Sequence, residues 1–278
     1  MNHERHPRVF EGAVVAITGA SSGVGASLAA ALARGGANPV LFARSHQALE
    51  EVAARCREAG SEPLVVPGDV MQLDDCARMV EQASDRFGRL DVLVGCAGLS
   101  MWARFDELSD LTVLRRVMEV NYWGLVQPAH CALPQLKASR GLLVAISSVQ
   151  GKFGVPWHSG YAASKHAVQG FCDSLRLELR DSGVDVLTVL AHWIQGTNLR
   201  HRALAGDGQP KGERAADHGR SAVPLEQVTE RIMTAMAKRR RTVFIPRWMR
   251  GLCWLSQLTP SAVDRLILRR VRREALHR

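Results

Sequence analysis

The sequence predicts a three-layer α/β sandwich: a doubly wound parallel sheet in a single domain, followed by a C-terminal helical extension. Three observations predict it. Strand-sized apolar runs alternate with helix-sized amphipathic stretches along most of the chain. The runs are apolar almost throughout, so both faces of the sheet need covering by helices. A glycine-rich turn follows the first run directly. The 278 residues suffice for one large domain, and 46 % hydrophobic residues can furnish a real core.

The elements follow in order. VVAIT (14–18) is the first strand; GASSGVG follows it, and alanine-rich helical spacing continues to about Arg34. PVLFA (39–43) is the second strand, trailed by a helix from about Gln47 to Ala59. PLVVPGDV (63–70) is the third, and residues 72–87 read as a helix. LDVLVG (90–95) and GLLVAIS (141–147) are the fourth and fifth. A helix over about 160–181 leads to VDVLTVL (184–190), the sixth. Residues 9–200 therefore read as the core. Residues 201–224 are polar, with four glycines and two prolines, and read as a mobile substrate loop or lid. Residues 225–245 hold the last helix and a strand at Thr242–Ile245, and 246–278 form a basic amphipathic extension.

Charge divides the chain unevenly. Twelve Lys/Arg against two Asp/Glu between Lys238 and Arg278 give +10, whereas the whole chain carries +9, so the first 237 residues sum to −1. Such a tail speaks of its own partners and not of the core's. Trp248, Met249, Leu252, Cys253, Trp254, Leu255 and Leu258 form an apolar stretch amid arginines. Thr259 can cap a helix with Pro260 at its first position. Val263, Leu266, Ile267 and Val271 then share one side of it, with Arg265, Arg269, Arg272 and Arg273 largely elsewhere. The tail either lies on an anionic membrane surface or covers the pocket or a subunit contact. No recognition motif supports nucleic acid. No run of 18 apolar residues exists, and the N-terminus lacks the apolar core of a secretory signal. Six scattered cysteines form no ligand cluster, so no metal is expected and a cytoplasmic setting, with peripheral membrane contact as an option, suits the chain.

The turn after the first strand carries the first chemical signal. Gly19, Gly23 and Gly25 let the backbone turn tightly and approach a ligand closely. The helix that begins near Gly23 presents unpaired N–H groups and a positive dipole end, suited to phosphate. At the tip of the second strand stand Ala43 and Arg44, where an NAD-preferring site would carry a carboxylate. Arg44 can pair with a 2′-phosphate, so the expected cofactor is NADP(H). Asp69, just past the third strand, either accepts an adenine amino hydrogen bond or caps the helix near Gln72.

Downstream, SGYAASKHAVQG (159–170) places Tyr161 and Lys165 one helical turn apart. With TGASSGVG (18–25), Asn121 in MEVNYWG and Ser148 in AISS, this YAASK segment resembles the short-chain dehydrogenase/reductase family over roughly Gly12 to Leu199. The resemblance implies a Rossmann-like fold and a catalytic set of Asn121, Ser148, Tyr161 and Lys165. It implies cofactor contacts from Gly19, Ser21, Ser22, Gly23, Val24, Gly25, Asp69, Val70, Ala97, Gly98, Ile194 and Thr197, besides Tyr161 and Lys165. A homo-oligomer and a small-molecule carbonyl or alcohol substrate are expected with it. Two stretches depart from the family pattern. GCAG (95–98) stands where NNAG is common, so side-chain bonds that brace the sheet there are missing. LAHWIQGTNL (190–199) replaces Pro-Gly with Ala191 and His192 and adds Gly196 before Thr197. His192 either touches substrate or fills the altered loop.

These residue types suit interconversion of a ketone or aldehyde and an alcohol. Nicotinamide supplies the hydride, and the protein must position it and furnish a proton. Tyr161 can be the donor, with the charge of Lys165 expected to lower its pKa from about 10. Ser148 can orient the carbonyl oxygen. Asn121 can hold a water that links Lys165 to solvent. Alternatives are a 3-oxoacyl thioester reductase and a non-catalytic nucleotide-binding or scaffold protein on the same fold.

Overall fold

The structure is a computed structural model that describes residues 9–212 and 222–276, except the side chains of 270–276. Seven strands form one parallel sheet: β1 (Val14–Thr18), β2 (Asn38–Ala43), β3 (Leu64–Pro67), β4 (Val92–Gly95), β5 (Leu142–Ser148), β6 (Asp185–Ala191) and β7 (Thr242–Ile245). Their order across the sheet is β3-β2-β1-β4-β5-β6-β7. The chain winds outward from β1 in one direction, then crosses back to β4 and winds in the other. β1 pairs with β2 (Ile17 opposite Leu41) and with β4 (Ile17 opposite Val94). The carboxyl ends of β1 and β4 thus lie together where the strand order reverses, the position at which such sheets bind ligands.

Helices cover both faces because the strands are apolar on both. α1 (Gly23–Arg34), α2 (His46–Glu58) and α7 (Leu225–Ala237) pack on one side, their Leu28, Leu32, Leu49, Val52, Ile232 and Met236 against Val15, Ile17 and Leu41. α3 (Leu73–Phe87), α5 (Gly124–Ser139) and α6 (Ser159–Glu178) pack on the other, with Met79, Leu125, Leu136 and Cys172 against Phe42, Leu93 and Leu143. Ile17, Leu41, Phe42 and Leu93 are fully buried. Each such side chain contributes about 1.5–3 kcal/mol to folding.

The predicted strands all form, all but the third with ends shifted by no more than two residues. The third is shorter than its apolar run, because Gly68 leaves the sheet beneath the Phe42 ring. Helical structure before β5 went unrecognised in the pattern. There α4 (Thr112–Met118) runs through a π-helical turn, Glu119–Trp123, into α5, which carries Pro128 and Pro134 inside it. Prolines and a wider turn blur the 3.6-residue period.

Past β7, the apolar stretch folds as α8 (Met249–Leu258) and the chain ends in α9 (Pro260–Leu276). Thr259 does not cap α9 with its hydroxyl as expected; its Oγ1 donates back to the Leu255 carbonyl at 3.2 Å. Residues 213–221 of the predicted lid lie outside the described residues. The part that is described is tied down: Leu204 N donates to Ser100 O (2.9 Å), Trp102 N to Leu204 O (2.8 Å) and Ser109 N to Gly206 O (3.0 Å).

Candidate active site

A cavity of about 1020 Å³ opens along the carboxyl ends of the strands. The end at the turn after β1 is shaped by backbone. Gly19 and Gly23 have φ of +66° and +53°, which side chains other than hydrogen resist. A Cβ on Gly19 would lie 2.8 Å from Ala97 Cα, and one on Gly25 would lie 2.4 Å from the Gly19 carbonyl oxygen. The turn is therefore wedged between α1 and the segment after β4. Ser22 stands at the N-cap of α1 without a side-chain cap bond. The Thr18 hydroxyl accepts from Cys96 N (3.1 Å) and Ala97 N (3.3 Å). It secures the GCAG turn, where no asparagine side chain is available. Gly95 also has a packing reason: a Cβ there would lie 2.3 Å from Leu125 Cδ1.

Gly19, Ser21, Ser22, Gly23, Val24, Arg44, Asp69, Val70, Ala97, Gly98, Ser148, Tyr161, Lys165, Ile194 and Thr197 all line this cavity. Gly25 and Asn121 do not; they act from behind. Asp69 turns inward on its own loop, its Oδ1 accepting from Met71 N at 3.0 Å, while its backbone N–H donates to Asp75 Oδ2 at 2.8 Å. The side chain of Asp69 therefore does not cap α3, whose N-cap, Gln72, has no side-chain cap bond.

Ser148 ends β5, and Tyr161 and Lys165 share a face of α6; all three are buried. Ser148 Oγ donates to Ala191 O and accepts from Gln150 N, each at 3.2 Å, beside the Tyr161 phenol. Burial pushes the Tyr161 pKa up to about 12, against the opposing pull of the neighbouring Ser148 hydroxyl. Burial likewise brings Lys165 down to about 8. Its Nζ donates to Ile146 O at 3.1 Å and lies 5.7 Å from the Tyr161 ring centroid. The expected lowering of the phenol by the ammonium is therefore corrected: desolvation dominates both groups.

Asn121 also departs from expectation. Its amide nitrogen donates to Leu99 O and Ser164 Oγ, each at 2.9 Å, and its Oδ1 accepts from Leu99 N at 2.7 Å. Both amide hydrogens are committed, so the side chain clamps the segment after β4 to α6. The π-helical turn aims it there.

The other end of the cavity was not foreseen from spacing. Trp102 stacks on Trp157 (centroids 5.8 Å apart, 17° between planes), and His158 sits between Trp102 and Trp193 at 5.3 and 5.7 Å. The Arg200 guanidinium lies over Trp102 at 4.2 Å, and Lys211 Nζ lies over the same ring at 5.1 Å. His158 is buried, its Nδ1 within 2.9 Å of Pro156 O, and burial lowers its pKa to about 4. It is therefore neutral at ordinary pH. His192 also lines the cavity, with its backbone N–H bonded to Ile245 O at 2.7 Å and its ring against Trp193 and Trp248. A signal did exist: Trp193 and His192 fall in the stretch that departs from the family pattern.

Comparison with known proteins agrees with this geometry. Residues 13–207 match the family model described as short chain dehydrogenase. A curated relative, 11-beta-hydroxysteroid dehydrogenase-like 4A of Arabidopsis thaliana, is 38 % identical over 90 % of this chain and 82 % of its own. An alcohol dehydrogenase from Thermococcus sibiricus, solved with 5-hydroxy-NADP, is 25 % identical with a TM-score of 0.72, covering 84 % of this chain and 95 % of that one. A short chain dehydrogenase/reductase from Burkholderia phymatum, solved with NAD, shares the fold at a TM-score of 0.79 and 24 % identity, over 91 % of this chain and 95 % of its own.

Proposed function

Because this chain belongs to the short-chain dehydrogenase/reductase family, we propose that it interconverts a small-molecule ketone or aldehyde and its alcohol with NADP(H). One observation carries the reading: Ser148, Tyr161 and Lys165 converge in the cavity whose other end is the glycine turn. The residues fit a dinucleotide. Gly19 lines this end with no space for a Cβ and Gly25 packs behind it, so backbone at the turn can lie against a pyrophosphate. Arg44 lines the same end and would hold a 2′-phosphate. Thr197 and Ile194 would flank the nicotinamide portion.

When bound, the nicotinamide supplies or takes up the hydride. The chain's own residues manage the proton. With a pKa near 12, Tyr161 holds its proton at Oη through neutral pH, ready to give it to a carbonyl oxygen during reduction. Ser148 neighbours the same phenol and can share the substrate oxygen, fixing its distance from Oη. Lys165 loses its charge near pH 8, so below that pH it places a positive charge beside the developing phenolate. Oxidation runs the other way and needs the phenolate, so it should rise with pH where reduction falls.

The test is a panel of ketones, aldehydes and alcohols assayed with NADPH and NADP+, in the natural chain and in Tyr161→Phe. The variant should lose about 10²–10⁴-fold in turnover while keeping NADP(H) affinity. Near-original turnover would remove Tyr161 from the chemistry. Absence of both cofactor binding and turnover in the natural chain would favour the scaffold alternative. Arg44→Ala should weaken NADP(H) far more than NAD(H); tighter NAD(H) binding by the natural chain would overturn the cofactor assignment.

A further inference from the structure

α8 has an unusual outward side. Met249, Cys253 and Ser256 are buried and face inward, Met249 and Cys253 in a cluster with Val149, Leu190, Phe153 and Phe244. At 100° per residue, Gly251, Trp254, Leu255 and Leu258 come round on the opposite side. That side meets solvent, with Trp254 61 % and Leu258 73 % exposed. A surface helix ordinarily shows polar and charged groups there. In α8 the one charged residue, Arg250, stands on the flank. α9 packs against α8 and exposes Leu266 and Leu268 nearby in sequence.

The same helix adjoins the active site. Ring contacts run from Tyr161 to His158 (6.4 Å), Trp193 (5.7 Å), His192 (5.7 Å) and Trp248 (6.3 Å), the residue just before α8. Trp248 is itself exposed. A continuous aromatic wall therefore leads from the proton donor to the edge of the apolar face.

We propose that α8 and the first turns of α9 dock on an anionic lipid bilayer, with the cavity mouth at the margin of the docked face. Charge selects this occupant. Between residues 247 and 269, Arg247, Arg250, Arg265 and Arg269 stand exposed against the single acid Asp264. A second copy of the chain related by two-fold symmetry would bring the same arginines onto one another. Anionic headgroups complement them, and Trp254 and Leu258 can enter the acyl boundary beneath. No helix among the described residues is long and apolar enough to cross a membrane, so the contact lies on the surface. Delivery of an apolar substrate from the bilayer rests on the oxidoreductase reading; docking does not, so the two fail separately.

The test is co-sedimentation of the full chain with phosphatidylcholine vesicles, with and without phosphatidylserine, at low and high salt. Phosphatidylserine should raise partitioning at least tenfold, and high salt should weaken the binding without abolishing it. Trp254→Ser with Leu258→Ser should lower partitioning at least tenfold without lowering the melting temperature, since both side chains are exposed. Arg250→Gln with Arg265→Gln should remove the preference for phosphatidylserine while leaving the salt-resistant part. Failure to sediment in every condition would overturn the proposal. So would unchanged binding by the Trp254/Leu258 variant, or an oligomer in the natural chain, seen by light scattering, that this variant dissolves.

Discussion

The two ends of the cavity are built by different means. At the glycine-turn end, backbone does the shaping: two glycines with positive φ, a third with no room for a Cβ, and a threonine hydroxyl holding two amides. At the far end, side chains from four separate segments meet: Trp102, Trp157–His158, Trp193 and Arg200. Backbone shape demands particular residues at fixed spacing, because one misplaced Cβ closes the turn. An aromatic wall can be assembled in many ways. The first end should therefore be intolerant of any enlargement, and the second should tolerate change at a graded loss confined to substrate.

The largest effect tests the first half of that comparison. In Gly25→Ala the new methyl would lie 2.4 Å from the Gly19 carbonyl oxygen and 2.9 Å from its carbon. Backbone cannot yield there without opening the turn. Nucleotide affinity should fall at least 100-fold, and stability by about 1–3 kcal/mol. Gly170→Ala is the control. It sits in α6 with nothing within 4 Å of its would-be Cβ, so the change should stabilise by about 0.5–1 kcal/mol. Nucleotide titration and thermal melts read both. Equal responses at the two glycines would dissolve the distinction.

This asymmetry also sets what the sequence disclosed. β1, β7 and the glycine turn could be read from the chain because strand and turn depend on consecutive residues. The same holds for Tyr161 and Lys165, four apart on one helix. The tryptophans and His158 carry no such pattern; folding alone brings residues 102, 157, 158, 193 and 200 together. The pKa shifts are not legible from spacing for a related reason. A spacing of four says that an ammonium is near a phenol, but the depth of burial, which decides the shift, belongs to the whole sheet.

A middle-sized effect tests the second half. Trp102 stacks on Trp157 and lies under both Arg200 and Lys211. Trp102→Ala removes the centre of that wall and should cost about 1–2.7 kcal/mol of transition-state binding, or roughly 5- to 100-fold in kcat/KM. The nucleotide dissociation constant should move less than about twofold. If cofactor binding falls as far as substrate turnover, the two ends are one unit and the comparison breaks.

The smallest effect appears only in acid. His158 is held neutral by burial, with the nearby cations Arg200 and Lys211 adding to the penalty on its charged form. Its pKa is about 4 in the folded chain, against about 6.5 when unfolded. Between those values the unfolded chain binds more protons, so stability is full above about pH 6.5 and is lost as pH falls through 4. A shift of this size corresponds to at most about 3 kcal/mol. His158→Asn retains a side-chain donor for Pro156 O but has no proton to gain. It should be somewhat less stable than the natural chain at pH 8, since it packs less well between the two tryptophans. Below pH 6 the gap should narrow. Carboxylates weaken both chains in acid alike, so the difference between two melting series isolates the imidazole. Parallel series from pH 8 to pH 5 would mean that His158 takes up its proton without hindrance, and that the wall beside Tyr161 is wetter than its packing implies.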